Sequence, residues 1–147
     1  DQSARDVRQQ LEVLVSRQID GVLLDAVGAS GLPAEALAGV QVVLIDEPSN
    51  RWPGIATDAV AAGRLAAEHL LALGHRKIGF VGPAADVHAF RMRERGFVTA
   101  LRAAGVALTS DWWRRAPATV AGGRDAMRHL LAQANRPTAV FCANDLM

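Results

Sequence analysis

Short apolar runs separated by helix-length amphipathic segments constrain this chain more than any other feature. Val22-Leu23-Leu24, Val42-Val43-Leu44-Ile45, Ile78-Gly79-Phe80-Val81 and Thr138-Ala139-Val140-Phe141-Cys142 are too short for buried helices and show no polar alternation. Runs of this kind suit strands buried on both faces. Parallel strands need long crossover connections, usually helices. The alternation therefore predicts an α/β chain whose parallel sheets are covered on both sides.

The connecting segments carry their own punctuation. A helix is expected over residues 1–18, with Val7, Leu11, Leu14 and Val15 on one side, broken by Asp20-Gly21. A loop follows at 28–33, then a short helix at 34–38, and Asp46-Glu47-Pro48 ends the second strand. After a short extended piece at 55–57, Asp58 caps a helix that runs to Leu73, and Gly74 closes it in the left-handed conformation. Gly82-Pro83 is expected to turn the chain just past the central strand. Helices at 89–104, stopped by Gly105, and at 121–134 flank a stretch at 111–119 that reads as irregular or as a strand.

Charge narrows the function. A protein that grips DNA through several phosphates needs clustered cations, yet 16 basic residues are matched by 15 acidic ones and the net charge is +1. Any DNA-contacting part is expected to lie outside this chain. No apolar run approaches the roughly 20 residues needed to span a bilayer, and residues 1–5 lack the design of a leader peptide. Together with the single Cys142, this points to a cytoplasmic protein with no membrane partner. The four histidines show no metal spacing, and no phosphate-binding loop or nucleophile elbow occurs. Neither an enzyme, a cofactor nor a metal is expected.

The segment Glu68 to Pro83, with Gly74-His75-Arg76-Lys77-Ile78 after a helix ending His69-Leu70, resembles the core of bacterial regulators of the lactose-repressor (LacI/GalR) family. The same order and spacing recur in Ile19-Asp20-Gly21-Val22-Leu23-Leu24, in Val42 to Asp46, and in Arg93 three residues before Gly96-Phe97. Pro137 to Phe141 followed by Ala143-Asn144-Asp145-Leu146-Met147 completes the set. The resemblance implies a periplasmic-binding-protein-like type I fold of two Rossmann-like lobes, residues 1–75 and 76–147, both incomplete. It further implies a helix-turn-helix domain, a hinge and a first strand before Asp1, and more helices and strands after Met147. A homodimer that binds operator DNA through that absent domain, and a small polar effector such as a sugar, are the expected partners. A periplasmic sugar-binding protein of a transport system is the alternative.

Open parallel sheets bind ligands beyond the carboxyl ends of their strands, which brings Asp25, Asp46, the loop at 83–88 and Asn144 to the rim. Arg93 shares a helix face with Phe90, Phe97 and Leu101, where a guanidinium demands a buried acid or a polar ligand. The resemblance assigns the matching Arg to the effector. Asn144 offers a donor and an acceptor to a hydroxylated ligand, or serves with Asp145 as a capping turn. Asp25 is either an acceptor for sugar hydroxyls or a solvated loop acid, and His88 is either a contact or incidental. The family places an aromatic ring five residues before the Gly that opens the next helix. Here that position is Ala118, and Trp112 and Trp113 are the nearby candidates to replace it.

Overall fold

The computed structural model describes residues 2–25, 39–46 and 48–147. The loop expected at 28–33 and the helix expected at 34–38 lie outside the described residues. Contacts divide the chain into two compact units, Asp1–Thr57 and Asp58–Met147.

The first unit opens with helix α1 (Gln2–Ser16), followed by strands β1 (Gly21–Asp25), β2 (Gln41–Ile45) and β3 (Gly54–Ile55). The three strands are parallel and lie in chain order. Val22 pairs with Val42 and Leu24 with Leu44. Since side chains alternate across a strand, these four share a face, and Leu11 of α1 and Trp52 pack against it. The opposite face carries Leu23, Val43, Ile45 and Ile55. Leu23 is 70% and Ile55 69% exposed, while Val43 and Ile45 are half-buried, so the strands are there but among the described residues this face is only partly covered.

The second unit begins with α2 (Ala59–Ala72), where the Asp58 carboxylate accepts from the Ala61 amide at 2.8 Å, the expected cap. Gly74, at φ +87°, lets the His75 amide reach back to the Leu70 carbonyl and close the helix. Strand β4 then runs Ile78–Pro83, followed by α3 (His88–Ala103), a 3-10 turn (Ser110–Trp112), β5 (Trp113–Ala116), α4 (Val120–Leu131) and β6 (Ala139–Cys142). The stretch left open between irregular and strand is thus a turn and a strand. The chain also stays in the sheet longer than Gly82-Pro83 led one to expect, because Pro83 pairs in register with Ala116 and takes the last place on the strand.

Strand β4 sits between β5 and β6, all parallel. On one face Ile78 and Phe80 meet Phe97 and Leu101 of α3 and Ala67 of α2, with Phe141 and Trp113 packed beside them. On the other, Val81 meets Leu130 of α4 and Trp112. Burying each large apolar side chain contributes about 1.5–3 kcal/mol.

The boundary between units falls between Thr57 and Asp58, not at residue 75. The cause is a crossing of α2 and α3 through two glycines. A Cβ on Gly63 would overlap the carbonyl oxygen of Arg93, and one on Gly96 would overlap that of Val60. Backbones this close make α2 part of the second unit's core.

Candidate ligand site

From β4 the chain crosses by α3 to β5 on one side of the sheet order, then returns by α4 to β6 on the other side. The order reverses between β4 and β6, and the carboxyl ends of strands at such a reversal form a crevice. Cys142 ends β6, and the Ala143 amide still donates to the Val81 carbonyl at 2.9 Å. Asn144 is therefore the first polar side chain past the sheet at that point.

Arg93 reaches the same place from α3. Phe97 and Leu101 are buried, Phe90 is half-buried, and Arg91 and Arg95 are exposed, which is the helix face the sequence predicted. The Arg93 guanidinium donates to the carbonyl of Ala143 and lies 5.7 Å from the centre of the Phe90 ring. One carbonyl uses little of a group with five N–H donors. Beside it, Asn144 Oδ1 is buried and has no hydrogen-bond partner. An unsatisfied buried acceptor costs about 1–3 kcal/mol. A donor such as a hydroxyl would satisfy it, while Arg93 supplies the complementary N–H groups.

The other expected residues belong to other elements. His88 is the first residue of α3 and half-buried, with Nδ1 3.5 Å from an Arg91 guanidinium nitrogen. Arg91 is held by Asp86. Asp25 ends β1 in the first unit, with its side chain exposed. Asp46, also in the first unit, holds φ +57°, and its Oδ1 accepts from the Thr57 amide at 2.7 Å and the Thr57 hydroxyl at 3.0 Å. A non-glycine residue in that region is uncommon, and two hydrogen bonds hold it there.

Neither tryptophan replaces the missing aromatic. Trp112 is buried and donates through Nε1 to the Asn135 carbonyl at 2.7 Å. Trp113 stacks on Phe80 at 4.9 Å and donates to Glu94 at 2.7 Å. Ala118 is exposed.

The basic motif after Gly74 is structural. Arg76 donates to the Leu71 carbonyl at 3.3 Å and Lys77 to Asn135 at 2.9 Å. The Thr138 hydroxyl donates to the Lys77 carbonyl at 3.2 Å, so it accepts from His75 Nδ1 at 3.0 Å. These contacts join the amino ends of β4 and β6, opposite the candidate site. Among the described residues no three His, Cys, Asp or Glu side chains gather as metal ligands, and no helix is long and apolar enough to cross a membrane.

A family model described as the periplasmic binding protein-like domain matches residues 67–147, more than half of the chain. The chain is 32% identical over 146 residues to the HTH-type transcriptional repressor PurR of Mannheimia succiniciproducens, covering 96% of this chain and 44% of that protein. It is 31% identical over 148 residues to the ribose operon repressor of Haemophilus influenzae, covering 97% and 44%. The chain thus spans less than half the length of these curated relatives. Among solved structures, a complex of the transcriptional regulator CelR with cellobiose matches with a TM-score of 0.80 and 30% identity, covering 98% of this chain and 46% of that one. A LacI family transcriptional regulator from Enterococcus faecium with bound ribose matches with a TM-score of 0.79 and 27% identity, covering 96% and 54%.

Proposed function

Because this chain belongs to the periplasmic binding protein-like domain family, in the form found as the effector-binding core of LacI-family regulators, we propose that it senses a small polar effector on behalf of a DNA-binding repressor. The repressors among its relatives favour this reading over a transport protein. Bound ribose and cellobiose in similar structures favour a sugar or sugar-like effector.

The observation that carries the proposal is the pairing of a guanidinium with spare donors and an orphaned amide oxygen at the strand-order reversal of the second unit. Arg93 and Asn144 are the principal effector contacts. His88 is assigned to the same effector from the start of α3. Effector binding biases a conformational equilibrium by its differential affinity for two states, typically about 1–3 kcal/mol. A helix-turn-helix domain outside this chain, in a cytoplasmic homodimer, converts that bias into operator occupancy. No catalytic step is assigned to the chain.

Calorimetric titration of the full chain with ribose, cellobiose and a panel of further sugars and nucleosides tests the reading. One ligand class is expected to bind, and Arg93→Ala to weaken it at least tenfold with the circular dichroism spectrum retained. Unchanged affinity in Arg93→Ala removes Arg93 from the site.

A further inference from the structure

A groove in the same unit is lined by neither Arg93 nor Asn144. It runs open between α3 and β5, with a volume of about 500 Å³. Helix α3 lends it Arg91, Arg95, Val98 and Arg102, which follow one another down one helix face. Leu108 and Trp113 add apolar surface, and Arg115 of β5, paired with Glu94 of α3, closes the other side.

The charges in this groove are not balanced. Arg91 is paired with Asp86 and Arg115 with Glu94, but Arg95 and Arg102 take part in no ion pair or hydrogen bond among the described residues. The chain as a whole is nearly neutral, so two free guanidiniums around an apolar strip are a local feature. β5 has only β4 as a partner among the described strands, which leaves its outer side open.

We propose that this groove docks an acidic amphipathic helix of a partner protein. Arg95 and Arg102 are two turns apart, about 10 Å along α3, with Val98 between them. A facing helix with carboxylates at i and i+7 and a leucine between them has the same spacing, and recognition by an amphipathic helix in a groove is a common mode. The four α3 positions span about 16 Å, longer than a single phosphate group requires. Nucleic acid fits less well. Its bases need an open aromatic face, and the Trp113 ring is stacked on Phe80 with its N–H held by Glu94. This inference does not rest on the effector reading.

The probe is a fluorescein-labelled helical 14-residue peptide with two glutamates seven apart, leucine between them, and alanine and glutamine elsewhere. Fluorescence anisotropy with the full chain is expected to show saturable binding that weakens with added salt. R95E/R102E is expected to weaken it at least tenfold, and exchanging the peptide's leucine for alanine severalfold. R124E, which alters an exposed arginine on α4 outside the groove, is expected to leave it within twofold. Absence of saturable binding overturns the proposal. So does R95E/R102E binding within twofold of the parent with circular dichroism intact, or displacement of the peptide by a single-stranded oligonucleotide at lower concentration than by unlabelled peptide.

Discussion

Among the described residues the two units use one design, three parallel strands, and finish it differently. In the second, α2 and α3 cover one face and α4 the other, leaving Phe80, Val81, Phe97 and Leu130 without solvent contact. In the first, α1 covers the face of Leu24 and Leu44, while Leu23 and Ile55 on the other are more than two-thirds exposed. The strand order also differs: sequential in the first unit, reversed in the second. An apolar run specifies a strand, but what covers it and where the order reverses are decided by partners far away in sequence. The candidate ligand groups Arg93 and Asn144 gather in the unit where the order reverses and both faces are closed.

The sharpest way to break this contrast is to remove one large apolar side chain from each unit. Phe97→Ala should cost the second unit about 3–5 kcal/mol. Leu23→Ala, on the exposed face, should stay within about 0.5 kcal/mol. Urea unfolding separates the two, with Trp112 and Trp113 reporting on the second unit and Trp52 on the first; comparable losses would mean that the first unit's open face is covered in solution.

Gly63→Ala and Gly96→Ala should follow at about 3 kcal/mol each, since overpacking a close contact costs about 1–3 kcal/mol and here the obstacle is backbone. Thermal melts showing either variant as stable as the parent would separate α2 from the second unit's core. Loss of a helix cap is milder. Asp58→Ala and Thr119→Ala each remove a side chain that accepts from a first-turn amide, at about 1 kcal/mol, read as a shift in the urea midpoint.

The smallest effect concerns Cys142, half-buried on β6, whose thiol is pushed above its ordinary value by burial. The thiol ionises more readily in the unfolded chain, so its contribution is fully present below the unfolded value and is lost as pH rises through the folded one. Stability should decline slightly more in the parent than in Cys142→Ala on the alkaline side, and the folded thiol should react with Ellman's reagent more slowly than free cysteine. Equal reaction rates would place the thiol in solvent.

Much of this was legible before the structure. Both helix closures at Gly74 and Gly105, at φ +87° and +70°, follow from glycine's freedom in the left-handed region. The Asp58 cap and the inward side of Arg93 follow from spacing alone. Other features were not legible, because they depend on which backbones meet. Gly63 and Gly96 look like ordinary helical glycines until α2 and α3 cross, which is why the boundary expected at residue 75 falls at 57/58. Trp112 and Trp113 sit near the missing aromatic in sequence, yet Trp112 ends the 3-10 turn and Trp113 begins β5, and they pack into separate clusters. The orphaned oxygen of Asn144 is a property of surroundings that no local pattern carries.

The central claim, that the carboxyl ends of β4 and β6 hold the effector through Arg93 and Asn144, is tested most directly by nuclear magnetic resonance. The Asn144 side-chain amide and the Arg93 Nε–H are followed while the full chain is titrated with the ligand selected by calorimetry. These two signals, with the Ala143 amide, should show the largest shifts in the second unit and saturate with the calorimetric affinity. Saturation with all three unmoved, while signals elsewhere shift, would contradict the account.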